Sequence, residues 1–232
     1  MREEDFFRQV AQRLGRSEPL QSVPARSVAG APEFWHNYEL GYPERTQKFC
    51  SELEKLGGQT SLHSSLQSLQ TGLRELLQQL APVSIGLWGG DSLREFGLPD
   101  VLEGFQIDEW GAKEQASDTV ERFASVEMGI TGGDYAIADT GTIVVLAAPD
   151  KGRSVSLLPS IHVVVLRESQ IVTRLGEVLA ELEESRQRTG AVPSSVNFIS
   201  GPSRSSDIEN DLSIGVHGPA AVFVLLWQDA EA

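Results

Sequence analysis

The chain has 232 residues, a formal net charge of −14 and one cysteine, Cys50. Its length supports one large or two small domains with a true core, and 40% apolar against 22% charged residues is a globular composition. Acid exceeds base in both halves, so no basic face is available to track a nucleic-acid backbone. A lone cysteine also excludes an internal disulfide, a Cys-rich zinc site and a Cys-ligated iron–sulfur cluster in this chain.

Glu3 to Leu14 reads as a short amphipathic helix, with Phe6, Val10 and Leu14 at four-residue spacing, acids in the first turn and Gly15 as its stop. Pro19, Pro24 and Pro32 punctuate a loop or arm that ends in the aromatic stretch Phe34-Trp35-His36-Asn37-Tyr38. Residues 1–42 are therefore expected to form a helix and extended arm, and residues 43–232 an α/β domain. Pro43 to Leu56 is expected to be helical, with Phe49, Cys50, Leu53 and Leu56 inward and Gly57-Gly58 ending it. Leu66 to Leu80 places Leu66, Leu69, Leu73, Leu76, Leu77 and Leu80 on one helical face.

Val83 to Trp88 and Phe105 to Trp110 read as strands, and Asp118 to Ala124 as a short helix. Thr142 to Ala148 and Ile161 to Leu166 are Ile/Val/Leu runs without polar alternation, the pattern of strands covered on both faces. Ile171 to Arg188 is expected to be a helix burying Leu175, Val178, Leu179 and Leu182, and Val196 to Ser200 and Ala220 to Leu226 to be strands. Helices alternating with continuous apolar strands argue an α/β sandwich with a mostly parallel sheet. The longest apolar run, Pro219 to Trp227, is too short for the ~20 residues of a membrane span. The acidic start lacks the apolar centre of a signal peptide, so a cytoplasmic location is expected.

Glycines and small polar residues gather in two loop systems. In the first, Asp139-Thr140-Gly141-Thr142 leads into a strand, and Lys151 and Arg153 follow that strand. In the second, Gly201 to Glu209 follows a strand, with Ser206 or Asp207 expected to cap a helix whose N–H groups, aided by Ser203, Ser205 and Arg204, attract an anion. The plain alternative is a capped turn in which Arg204 pairs with Asp207 or Asp211. An antiparallel hairpin across residues 149–160 would bring His162 to the same rim. Ligands of parallel α/β sheets bind at the carboxyl ends of the strands, so Lys151, Arg153, His162, Arg204 and His217 are expected to converge there on a small carboxylate or phosphate. Asp139 and His217 are the catalytic candidates, Asp139 as base or nucleophile; Asp134 is a second candidate carboxylate, and Asp139 could equally cap its turn. The histidines are too scattered for a metal centre.

The segments Gly129-Ile130-Thr131, Ile137 to Thr142, Ser156 to Pro159 with Ile161-His162, Gly201 to Glu209 and Gly215-Val216-His217-Gly218-Pro219 stand in a distinctive order. In this the chain resembles the LUD (lactate-utilisation) domain family over about residues 125–226, and its short, cluster-free length resembles the family's C type. The resemblance implies a three-layer α/β fold related to the phosphosugar-isomerase and CoA-transferase group. It implies participation in oxidising L-lactate to pyruvate, with no cofactor in this chain and iron–sulfur clusters in partner subunits. Many family members carry Glu where this chain has Asp139. A carboxylate about 1 Å shorter in reach harms catalysis more than capping. A stand-alone enzyme or a sensor for a small anionic metabolite, of acyl or phosphosugar type, is the alternative reading.

Overall fold

A computed structural model describes residues 2–20, 22, 38–111, 116–206 and 212–229, the side chains of 116–119 excepted. Two compact units are present, Met1–Tyr38 and Glu39–Ala232. In the first, α1 (Glu3–Arg13) carries three acids in its first turn, where the helix dipole favours them. Its apolar stripe is only weakly covered: Ala11 is buried, while Phe6, Phe7, Val10 and Leu14 are exposed. The aromatic stretch expected to latch the arm lies outside the described residues except for Tyr38, as do Pro24 and Pro32.

The second unit begins with α2 (Tyr42–Lys55), which has Pro43 in its first turn and buries Thr46, Phe49 and Leu53. Strand β1 (Gln59–His63) follows, then α3 (Leu66–Leu80), whose N-cap Ser65 accepts a hydrogen bond from the Ser68 N–H and whose Leu69, Leu73 and Leu77 are buried. The chain continues through β2 (Ile85–Trp88), α4 (Leu98–Val101), β3 (Ile107–Trp110), α5 (Ala116–Ala124) and β4 (Met128–Gly132). Next come β5 (Tyr135–Ile137), β6 (Thr142–Leu146), α6 (Ser154–Leu157), β7 (Ile161–Arg167), β8 (Ile171–Val172), α7 (Leu175–Thr189) and β9 (Val196–Ile199). A short hairpin of β10 (Arg204–Ser206) and β11 (Leu212–Ile214) precedes β12 (Ala221–Trp227).

The main sheet has the order β1-β12-β7-β4-β2-β3, and every pairing in it is parallel. Register aligns Met128, Ile161 and Ala221 at one edge, which fixes the amino ends of β4, β7 and β12 there. The fold class is thus α/β with a mostly parallel sheet. The core runs through it, with Ile130, Val163, Val164, Val165, Val224 and Leu226 fully or nearly fully buried. Among the described residues no helix is long and apolar enough to cross a membrane.

Two of the apolar strands, however, do not join the parallel sheet. β6 and β9 pair antiparallel with each other in a second sheet of order β8-β5-β6-β9. Ile143 and Val145 face the main core, while Val144 packs with Ile137, Val172 and Val178 of α7 in a smaller cluster. A continuous apolar run records burial on both faces, and β6 has that between two antiparallel neighbours. The hairpin expected across residues 149–160 is likewise absent: β6 and β7 lie in different sheets, joined through an Ala148–Lys151 bridge and α6. Helix α7 starts later than expected, because Ile171–Val172 pairs with β5, and Leu175 and Leu179 are exposed rather than buried.

Candidate functional site

The carboxyl edge of β2, β3 and β4 is where an open parallel sheet reverses its order and usually binds ligands. Here the chain's own residues 149–152 fill it. Trp88 Nε1 donates to the Gly152 carbonyl at 3.2 Å, Trp110 Nε1 to the Pro149 carbonyl at 3.2 Å, and the Gly89 N–H to the Asp150 carbonyl at 3.0 Å. Lys151 is part of this plug: its Nζ lies 2.7 Å from Asp134 Oδ1 and 5.2 Å from the centre of the Trp88 ring. The other Asp134 oxygen accepts the Leu146 N–H at 2.7 Å. Asp134 and Lys151 therefore hold the loop to each other and to the strand behind it. Arg153 is exposed at the start of α6.

His162 is fully buried on β7, level with Gly129 of β4 and Val222 of β12. Its Nε2 lies 2.9 Å from Thr131 Oγ1, while Nδ1 has no partner among the described residues. Burial pushes its pKa down to about 4, so the ring is neutral at physiological pH. It is a core residue, and the expected rim position is incorrect because no hairpin carries β7 back beside β6.

The remaining candidates lie at the opposite, amino edge. Thr142 Oγ1 lies 2.7 Å from both Thr140 Oγ1 and Ser200 Oγ, so three hydroxyls from two loops form one chain. Thr142 Oγ1 also lies 3.4 Å from the Thr140 carbonyl, so it can donate there while accepting from both outer hydroxyls. Gly141 makes this possible: its φ is +57°, and a Cβ there would sit 2.2 Å from the Leu53 nitrogen of α2. The Ser200–Arg204 loop abuts the same helix end. Gly201 meets the Leu56 carbonyl, and Arg204 reaches the Gly57 Cα so closely that a Cβ there would lie 2.8 Å from a guanidinium nitrogen. The negative end of the α2 dipole favours a guanidinium in that place.

Ser203 ties the hairpin to the sheet, with its N–H on the Pro219 carbonyl at 2.8 Å and its carbonyl accepting the Gly215 N–H at 3.0 Å. His217 is exposed in the segment leaving that hairpin. Arg204 and His217 thus share the amino edge, and Lys151 does not join them. Residues 204–206 are a strand paired with 212–214, so Ser206 faces Leu212 across the ladder, and the helix expected after it falls outside the described residues. Asp207 lies outside the described residues. Asp139 is half-buried in a 3₁₀ turn, and its N–H donates to the Thr173 carbonyl at 3.0 Å. No group of three His, Cys, Asp or Glu among the described residues could hold a metal ion.

Sequence reasoning passed over one polar cluster. His63, at the carboxyl end of β1, is 8% exposed and lies between the Ser61 and Ser68 hydroxyls. The usable signal was Gly72, a helix-weakening residue in the middle of a leucine-rich helix, which marks a close neighbour.

An α/β protein whose parallel sheet has a plugged carboxyl edge and a hydroxyl-and-guanidinium cluster at the amino edge is the class that fold and site define. The LUD domain model matches residues 46–227, and the chain belongs to that family. Lactate utilization protein C of Halalkalibacterium halodurans is 31% identical over 98% of both chains. The protein of the same name from Bacillus subtilis is 28% identical over 98% of this chain and 96% of its own. The crystal structure of a DUF162 family protein from Deinococcus radiodurans superposes with a TM-score of 0.59 at 22% identity, covering 81% of this chain and 99% of that one, and so shares the fold.

Proposed function

We propose that the chain serves lactate utilisation as a subunit without clusters of its own. It holds a small carboxylate, L-lactate or pyruvate, at the amino edge and works in the cytoplasm beside iron–sulfur subunits that carry the electrons. The observation that carries this reading is the convergence of the Thr140–Thr142–Ser200 hydroxyl chain and Arg204 on the last turn of α2. A guanidinium pairs with a carboxylate through two parallel N–H donors, and the hydroxyl cluster offers polar partners beside it. The relatives named lactate utilization protein C support the metabolic setting. The single cysteine supports placing the electron carriers elsewhere, because a four-Cys cluster cannot be assembled from it.

Calorimetric titration with L-lactate, pyruvate and phosphate tests this. Saturable binding of a carboxylate, weakened at least tenfold in Arg204→Ala, is the expected result. Equal affinity in both proteins removes the site, and turnover of L-lactate by the purified chain alone removes the subunit role. Co-purification with cluster-bearing proteins from lactate-grown cells tests the partnership.

A further inference from the structure

Strand β1 is one of the two edge strands of the parallel sheet, and its alternate residues Gln59, Ser61 and His63 line a cleft with residues of α3. At its carboxyl end the His63 imidazole enters the space left by Gly72, where a Cβ would lie 2.4 Å from Cε1. Its Nε2 is 2.9 Å from Ser61 Oγ and its Nδ1 3.3 Å from Ser68 Oγ. Two clefts meet at this ring. One, of about 270 Å³, is bounded by Gln59, Ser61, Glu75 and Gln79, and the other is a shallow, open depression bounded by Ser65, Ser68 and Thr71. No lysine or arginine lines either cleft among the described residues, and Glu75 is the one ionised group.

Burial holds the His63 pKa below its ordinary value, against the opposing pull of Glu75. A neutral imidazole offers one N–H and one lone pair, so one flanking serine donates to the ring and the other accepts from it. Whichever tautomer is present, the accepting serine keeps its own proton free for a ligand. Flanking hydroxyls and carboxamides supply further donors and acceptors in alternation, while Glu75 and the absence of cations disfavour phosphates and carboxylates.

We propose that the paired clefts around His63, Ser61 and Ser68 form a second small-molecule site, distinct from the Arg204 cluster, that takes a neutral, hydroxyl-rich ligand of monosaccharide size or smaller. The glycine on α3 exists to admit the ring, and the ring orders the two serines that greet the ligand. Ser61 is exposed, so its hydroxyl is removable without opening the core.

The test follows the His63 Cε1–H resonance of the full-length protein during titration with glycerol, D-glucose and myo-inositol. L-Lactate, phosphate and ethanolamine serve as charged controls. A saturable shift with at least one polyol is expected, with affinity falling fivefold or more in both Ser61→Ala and Ser68→Ala and unchanged in Arg204→Ala. Thermal unfolding of each variant at the wild-type midpoint excludes a folding defect as the cause. Absence of a shift with all three polyols, a response to the charged controls alone, or polyol affinity untouched by either serine substitution overturns the proposal. Loss of carboxylate binding in Arg204→Ala bears on the other site only.

Discussion

Each edge of the parallel sheet carries a cation among polar groups, yet the two arrange it differently. At the carboxyl edge, Trp88, Trp110, Asp134 and Lys151 satisfy one another and the 149–152 backbone, so the usual ligand crevice is filled by the protein. At the amino edge, the hydroxyl chain and Arg204 are assembled on α2 with an exposed Thr140. Leu212, Ile214 and Val216 stay exposed on the neighbouring hairpin and its exit. The preference of ligands for carboxyl ends describes an open crevice, and a short loop suffices to close one.

Substitutions should separate these edges, one by stability and the other by binding. The largest effect is expected for His162, which lies between them. Its pKa of about 4 in the folded chain sits below the ordinary 6.5, so the unfolded chain takes up a proton the folded one refuses. Stability present above pH 6.5 is therefore lost as pH falls from 6.5 towards 4, by about 3 kcal/mol in all. Urea unfolding between pH 7.5 and 4.5 should show that fall in the wild type and a shallower one in His162→Gln.

Gly152→Ala should come next, because a Cβ there would lie 2.1 Å from the Trp110 ring. Forcing the indole out of the plug should cost about 2–3 kcal/mol and raise its fluorescence wavelength. Asp134→Ala should cost about 2 kcal/mol by leaving Lys151 and the Leu146 N–H without their acceptor. The smallest stability change belongs to the open edge: Arg204→Ala should leave the unfolding midpoint in place while removing carboxylate affinity. Should that substitution destabilise the protein as Asp134→Ala does, the guanidinium is a helix-end clamp, and the contrast between the edges disappears.

The sequence by itself determined much of the architecture. Leucine spacing placed α3, and the Pro43 and Gly57-Gly58 punctuation bounded α2 within a residue or so. The α/β class was legible because uninterrupted apolar runs must be buried on two faces. Strand direction and sheet membership were not legible, since burial of Val144 or Val196 looks alike beside a parallel or an antiparallel neighbour. From that ambiguity came the misplaced rim: His162 was carried to the surface by a hairpin that α6 replaces, and Lys151 was counted as free because Asp134 lies 17 positions away in sequence. Ser206 reads as a cap because small polar residues suit caps and turns alike, whereas the pairing of residues 204–206 with 212–214 is a long-range choice. Local spacing fixes helices and turns through short-range backbone physics. Which loops share an edge, and which charges are already neutralised, is decided only when distant strands take their places in the sheet.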